Sequence, residues 1–231
     1  MIKNKIKFSL AALGIYAAAL VTPAIAGSIA IGAKGEALYA TVTAEERLKG
    51  TDSIQEKTHN NYGARGSFFA QYTFMDDGFV IGIEHVPYEA NLGKADRLTQ
   101  DNDAAAGSGT PTVNQHVEAQ ISDHTTWYIE TPGLFGGGEG GLYLKAAYSS
   151  LTLNTLENLG TGASYPDQDL DATTVGLGWK GGTNSGILVK IEGAYTDYDS
   201  IDLTSTGSDT ASTIKGSLDT YSIGVSVGYS F

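Results

Sequence analysis

The sequence predicts an all-β fold, an eight-stranded antiparallel up-and-down transmembrane β-barrel. From Gly27 onward apolar residues recur at every second position, the period of a strand with one face in an apolar medium and the other in a polar one. No stretch after residue 27 is apolar for long enough to span as a helix, so a spanning chain must close its strands to pair every backbone polar group. The links between segments are short and long in turn, as when one end of a barrel carries tight turns and the other carries loops.

The first 26 residues read as a separate unit. Lys3, Lys5 and Lys7 precede an apolar run from Phe8 to Val21, and Thr22-Pro23 leads to an A-x-A site at Ala24 and Ala26. This is the pattern of a cleavable export signal, with the barrel domain occupying 27–231. A retained anchor is the rival reading, because the apolar run approaches the roughly 18 residues a spanning helix needs. Thr22-Pro23 followed by small residues favours cleavage. Removal of the three leader lysines leaves 11 basic against 26 acidic residues, a net charge of −15. Such a chain lacks the basic footprint of nucleic-acid binding. With no cysteine, it has no disulfide framework, thiolate metal site or cysteine nucleophile.

The last segment is the clearest. Tyr221, Ile223, Val225, Val227, Tyr229 and Phe231 share one face, and Thr220, Ser222, Gly224, Ser226, Gly228 and Ser230 share the other. Small polar residues suit a crowded barrel interior, whereas a soluble half-buried strand carries longer charged residues toward water. Moving back along the chain, Ile187, Val189, Ile191 and Tyr195 oppose Lys190, Glu192 and Thr196, and Val175, Leu177 and Trp179 oppose Gly176, Gly178 and Lys180. Leu142, Leu144 and Tyr148 oppose Lys145 and Ser149, while Thr125, Trp127 and Ile129 oppose His124 and Glu130. Phe79, Ile81 and Ile83 oppose Gly82 and Glu84, and Phe68, Tyr72 and Phe74 oppose Arg65, Ser67 and Gln71. The first segment is the weakest: Ile29, Ile31, Ala33 and Tyr39 oppose Lys34 and Glu36, with Gly35 and Ala37 diluting the outer face.

Short links are expected at Met75 to Gly78, Pro132 to Gly140 and Gly181 to Ser185. Long ones are expected at Glu45 to Asn61, Asn91 to Gln120, Asn154 to Leu170 and Ser200 to Ser217. In an outer-membrane barrel this order puts both termini in the periplasm. An extra hairpin within Asn91 to Gln120 would give ten strands. Outward aromatics fall into two girdles, Phe74, Phe79, Trp127, Trp179, Tyr229 and Phe231 at the periplasmic end and Tyr39, Phe68, Tyr148, Tyr195 and Tyr221 at the other. Tyr221 and Tyr229 are eight steps apart. At about 3.3 Å per step and a tilt of about 40° this is roughly 20 Å of height, close to the apolar band of such barrels.

The C-terminal run of Tyr221, Ile223, Val225, Val227, Tyr229 and terminal Phe231 resembles the assembly signal of bacterial outer-membrane proteins. Together with the leader and the eight segments, the chain resembles the small outer-membrane barrels typified by the OmpA membrane domain, OmpX and OmpW. The resemblance implies a place in the outer membrane of a Gram-negative bacterium. It also implies contact with outer-membrane lipid and lipopolysaccharide, and handling by periplasmic chaperones and the barrel assembly machinery. Since the chain stops at its last strand, the peptidoglycan-binding domain of full-length OmpA is not expected.

By parity Lys34, Arg65, Lys145, Lys180 and Lys190 face inward with Glu36, Glu84, Glu130 and Glu192. An eight-stranded interior is just wide enough for side chains, so these charges must be paired or hydrated. They form either a plug of salt bridges or the lining of a narrow passive pore for small solutes or ions, of weak selectivity. Gly176, Gly178, Gly224 and Gly228 leave space on the last strands, whereas Lys145, Lys190, Glu192, Phe69 and Tyr143 fill it elsewhere. Enzymes of the outer membrane, such as those that modify lipid A, need a His with a Ser or an acid near the outer rim. Of His59, His85, His116 and His124, His85 points outward unless Pro87 marks a bulge, and His124 points inward with no serine partner apparent from spacing. Asp167, Asp169 and Asp171 have the alternation of a calcium loop, echoed by Asp197, Asp199 and Asp202, but Ala172 stands where the turn glycine belongs. These acids read as solvated loops, with divalent bridging to lipopolysaccharide as the lesser reading. The glycine run from Gly136 to Gly141 joins two strands and reads as a turn. The sequence thus points to a non-enzymatic membrane barrel without cofactor or metal, of structural or surface-interaction role, whose acidic loops are the partner-facing surface for a ligand it does not name. An adhesin role would rest on the loops alone.

Overall fold

The computed structural model describes residues 27–47, 54–74, 78–100, 112–135, 140–158, 164–206 and 213–231. The leader, with Ala24 and Ala26, and the glycines at 136–138 lie outside them. The strands are β1 (Gly27–Arg47), β2 (Ile54–Phe74), β3 (Val80–His85), β4 (Ala90–Gln100), β5 (Thr112–Glu130), β6 (Gly140–Asn158), β7 (Gln168–Gly182), β8 (Ile187–Tyr198), β9 (Ile201–Thr204) and β10 (Thr213–Ser230). β3 and β4 both pair with β5, and β8 and β9 both pair with β10, so each couple is one stave with a break in it. That makes eight staves, all antiparallel, closed into a barrel by β1 against β10.

The register fixes the barrel's dimensions. Cα partners followed once around from Tyr62 pass through Tyr39, Tyr221, Tyr195, Val175, Ala146, Ile129 and Ile81 and return to β2 at Tyr72, ten residues lower. A shear of ten over eight staves, at about 3.3 Å per residue and about 4.8 Å between strands, gives a tilt of about 40° and a wall radius of roughly 8 Å. Such an interior holds side chains and little else.

The alternation seen in the sequence is the alternation of inside and outside. Ile31, Phe68, Ile81, Ile129, Leu144, Val175, Leu177, Ile191, Ile223 and Val225 form an apolar outer belt, each at least 47% exposed. At the end away from the termini the same strands invert. Leu151, Leu153, Leu170, Ala172, Tyr198, Ile201, Leu203 and Leu218 turn inward and pack together with Ile121. Asp169, Asp197, Asp199 and Asp202 are exposed on the outside there. Below the inversion the barrel is built for lipid, with charge inside and grease outside. Above it the barrel is built for water.

Most of the expected long links are strand. β1 and β2 leave only 48–53 between them, and β6 and β7 leave 159–167. The stretch from Asn91 to Gln120 is mainly β4 and the upper part of β5, which pair with each other and lengthen two staves; it adds no extra pair, so the count stays at eight. A period-two pattern loses its contrast where a strand leaves the apolar medium, which is why these extensions read as loops. The acidic residues Asp169, Asp171 and Asp197 accordingly stand on the walls of β7 and β8, not in loops. One girdle assignment also changes: Trp127 and Tyr148 are direct cross-strand partners, so they cannot stand in girdles at opposite ends.

Irregularities concentrate on one side. β5 bulges between Ser122 and Thr125, with Asp123 at φ 54°, a left-handed backbone that Asp tolerates better than most residues. The extra residue flips parity, so Ile121 is buried inside although even-numbered residues face inward below the bulge. β4 carries a second bulge between Asn91 and Gly93.

The space beside the inward glycines is taken up by other residues of the lumen. A Cβ on Gly178 would lie 2.6 Å from the Tyr143 ring and 2.7 Å from the Ile191 carbonyl, and one on Gly228 would lie 2.9 Å from Phe69. Gly224 is filled by Lys34 and Glu36 from β1, and Gly176 stands against the Lys145 stem. Each glycine thus admits a large side chain, from the adjacent stave at Gly176, Gly178 and Gly224 and from two staves away at Gly228. Gly178→Ala is therefore expected to destabilise the refolded barrel by about 1–3 kcal/mol in urea unfolding, the usual range for overpacking. Gly63→Ala, where a Cβ meets open space, should fall within about 0.5 kcal/mol of the parent.

Candidate functional site

The lumen is a concave, charged region, and it is layered. Its central layer takes one residue from every second stave: Lys34 on β1, Glu84 on β3, Lys145 on β6 and Glu192 on β8. Charge alternates around this ring. Glu192 Oε1 accepts from Lys34 at 3.1 Å and Lys145 at 3.0 Å, and Glu84 Oε2 lies 3.8 and 3.7 Å from the same two ammonium groups. All four are buried. The remaining acceptor positions are also used: Tyr143 donates to Glu192 Oε2 at 2.9 Å and Ser67 donates to Glu84 Oε1 at 2.7 Å.

Toward the termini lies a second charged layer. Lys180 and Lys190 are cross-strand partners that share one carboxylate, Glu130, whose Oε1 is 2.5 Å from Lys190 and whose Oε2 is 4.0 Å from Lys180. Lys180 also donates to the Thr131 carbonyl at 3.2 Å. The rings of Phe69, Tyr128 and Tyr143 lie within 5.6 Å of the Lys190 ammonium, so its charge rests among aromatic faces as well as on a carboxylate. Tyr143 is fully buried, and Tyr128 donates to Gln71 at 3.2 Å. Charges and rings together crowd the lumen at this height.

On the opposite side of the ring Arg65 forks onto Glu36 through Nε and Nη2, and Glu36 also lies 2.9 Å from Lys34. Arg65 Nη1 is 2.9 Å from His124 Nδ1. A guanidinium only donates, so Nδ1 accepts and the ring proton sits on Nε2, 3.3 Å from the Thr126 hydroxyl. Thr126 continues the chain to Ser149 at 2.7 Å. These groups line a polar cavity with about 20 Å³ of water-sized space, room for one or two waters. The apolar layer of Leu151, Leu170, Tyr198 and Leu218 follows farther along the same staves.

The nine charged residues singled out by parity therefore stand in the lumen as two ion-paired clusters, Lys34, Glu36, Arg65, Glu84, Lys145 and Glu192 in one and Glu130, Lys180 and Lys190 in the other, which meet at the Tyr128 and Tyr143 rings. His85 faces outward, 3.0 Å from its cross-strand partner Thr125. His124 faces inward, and the side chain of His116 lies outside the described residues. Spacing did not bring Thr126 and Ser149 to His124, because their hydroxyl chain crosses from β5 to β6. Parity did not flag the apolar upper layer either, although Leu151, Leu153 and Leu218 carry the inward parity of their strands. Tyr221, Ile223, Val225, Val227, Tyr229 and Phe231 all face outward on or just beyond β10. Asp167 and Asp169 accept from the Thr155 amide and the Thr152 hydroxyl, each at 3.0 Å. No group of three or more metal-ligating side chains is arranged around a common point among the described residues.

Removing Glu192 leaves Lys145 buried against Glu84 alone and Lys34 against Glu36 and Glu84. Glu192→Ala is expected to cost about 3–5 kcal/mol in urea unfolding of the refolded barrel, as when one partner of a buried ion pair is lost. Lys215→Ala breaks a pair with Asp202 whose side chains are 67% and 58% exposed, and should change stability by less than about 1 kcal/mol.

No family model matches the chain, and no curated protein matches it. Among solved structures, the outer membrane protein OprG of Pseudomonas aeruginosa is similar at a TM-score of 0.55 and 16% identity, over 90% of this chain and 97% of that one. The outer membrane protease OmpT of Escherichia coli aligns at a TM-score of 0.45 and 10% identity, over 88% and 97% of the two chains. Neisserial surface protein A aligns at 0.39 and 11%, over 84% and 96%. Eight antiparallel staves, an apolar outer belt, a charged lumen and the likeness to OprG show that this chain has the fold of the small outer-membrane β-barrels.

Proposed function

We propose that this chain is an integral protein of the Gram-negative outer membrane with a closed lumen, and that its role is structural or surface-facing. One observation carries the reading: the lumen is interrupted at successive heights by the Lys180, Lys190 and Glu130 layer with its aromatic rings, by the four-residue charge ring, and by the packed apolar layer. A passive pore for small solutes needs a continuous wet path, and the polar cavity between the ring and the apolar layer has room for only one or two waters.

In this reading the tight turns and both termini lie in the periplasm, and the inverted upper barrel stands in water outside the cell. Its acidic wall, with Asp169, Asp171, Asp197, Asp199 and Asp219, and the loops above it are the surface offered to partners. Outer-membrane lipid and lipopolysaccharide surround the apolar belt. The outward face of β10 from Tyr221 to Phe231 is the signal read by the barrel assembly machinery after periplasmic chaperones deliver the chain. Nucleic acid is not a partner of so acidic a surface. A non-enzymatic role is supported by His124, whose Nδ1 faces a guanidinium where a catalytic base would hold an orienting carboxylate.

Two measurements test this. In a planar bilayer the refolded protein, its folding verified by heat-modifiable gel mobility, is expected to be silent; steady conductance whose selectivity shifts in Lys190→Ala or Glu192→Ala would establish the pore instead. Mass spectrometry of the protein from outer membranes is expected to find Gly27 at the N-terminus, and a chain that keeps residues 1–26 would overturn the cleaved-leader reading.

A further inference from the structure

The upper edge of the apolar belt follows a single rung of the sheet. Tyr62, Tyr39, Tyr221, Tyr195 and Val175 are successive Cα partners on the outer wall of β2, β1, β10, β8 and β7. The outward rung above it, two residues higher on each stave, is Asn60, Thr41, Asp219, Asp197 and Thr173, with no apolar residue in it. Tyr195 stands across this border. Its ring packs on Tyr221 at 5.0 Å and its hydroxyl donates to Asp219 at 2.8 Å, the posture of an aromatic residue between lipid and water.

In a tilted barrel a rung is not level. One circuit of the eight staves comes down ten residues, so each step from β2 toward β7 descends by about 3 Å, at about 2.5 Å of height per residue. The border therefore falls by about 12 Å from Tyr62 to Val175. It stays low on β6, where Tyr148 is followed on the outside by Ser150 and Thr152. The lower border is nearly level: Phe74, Ile29, Phe231 and Ile187 lie within about 3 Å of one another in height. On the β6 side Leu134 and Phe135, exposed in the turn that pairs with Leu142, continue the apolar wall downward.

The belt is thus a wedge. It spans about 30 Å of height on β2, from Tyr62 to Phe74, and about 15 Å on β6, from Tyr148 to Leu142. Outer-membrane barrels carry an apolar band of about 25 Å, so the β1, β2 and β10 side matches a bilayer for which the β6 and β7 side is too short. A hydrocarbon layer of even thickness would cover Ser150, Thr173 and the carboxylate of Asp197, and a short apolar span is met by thinning of the bilayer beside it. Tilting the barrel does not remove the mismatch, because levelling the upper border slopes the lower one.

We infer that the β6 and β7 face draws the upper leaflet of the membrane down toward its middle, so that lipid headgroups stand beside Ser150 and Thr173 while acyl chains reach Tyr62 on the β2 side. The surface that this face fits is a locally thinned lipid leaflet. The inference rests on the reading of the chain as an integral membrane barrel and gives a shape to the bilayer around it.

Single cysteines report that shape, since the chain has none of its own. Ala64→Cys on β2 and Ser150→Cys on β6 lie within about 1 Å of the same height on the barrel, the first below its local border and the second above. Each variant is spin-labelled and refolded in dioleoylphosphatidylcholine vesicles, with folding verified by gel mobility. Depth is read from the balance of collisions with oxygen, which enters hydrocarbon, and with a water-soluble nickel chelate. The Ala64 label is expected to read about 10 Å deeper than the Ser150 label, the fall of the border between the two staves. Thr173→Cys takes the place of Ser150→Cys if that variant does not refold. Equal depths at the two positions overturn the wedge. So does an Ile31 label in water beneath a buried Ala64 label, the mark of a tilted barrel. A label at Val225, near the middle of the belt, that reads water would instead overturn the membrane reading itself.

Discussion

The narrowness of the barrel governs the rest of the structure. With eight staves and a shear of ten, the wall radius of roughly 8 Å leaves space for layers of side chains drawn from alternate staves. Lys34, Glu84, Lys145 and Glu192 occupy one such layer, and their order around the axis puts each cation between two carboxylates. The arrangement needs glycine on nearby staves, and Gly176, Gly178, Gly224 and Gly228 stand where Lys145, Tyr143, Lys34 and Phe69 cross the lumen. Charges and glycines are two halves of one packing solution.

Along the barrel axis the solvent outside changes, and the interior changes with it. Within the apolar belt lipid is as apolar as a leucine side chain, so burying leucine in the lumen gains nothing, and polar contacts hold the staves together instead. Above the aromatic residues Tyr39, Tyr62, Tyr195 and Tyr221, which stack pairwise at 5.0 Å on the outer wall, water returns. There the hydrophobic effect applies, and each fully buried Leu or Ile contributes about 1.5–3 kcal/mol. Leu151, Leu170 and Leu218, at 0, 2 and 1% exposure, form an ordinary core in that region.

This change of solvent also explains what the sequence shows plainly and what it hides. Within the belt, parity alone orients the strands, since outward residues are apolar and inward ones are charged or small; the run from Tyr221 to Phe231 and the positions of Lys190 and Glu192 are legible without coordinates. Above the belt the rule reverses, and stretches such as Asn154 to Leu170 or Asn91 to Gln120 look like polar loops although strand occupies much of each. The hydroxyl chain from His124 through Thr126 to Ser149 is hidden for another reason. It depends on the register of β5 against β6, which no single strand encodes. The bulge at Asp123 is hidden too, because a non-glycine residue at positive φ leaves no mark in a hydrophobic pattern.

The charged lumen has a further consequence for how the fold is specified. In a strand of period two, a slip of one residue exchanges the two faces. For β1 such a slip sends Lys34 and Glu36 into lipid and brings Ile31 and Ala33 against the carboxylates of Glu84 and Glu192. Ionised groups facing hydrocarbon cost several kcal/mol each, and the partners left behind in the lumen lose their pairing as well. The outer face of β1 offers little resistance of its own, since Ala33, Gly35 and Ala37 are small. The register of the stave that closes the barrel against β10 is therefore held from inside, by the charges that cross the lumen.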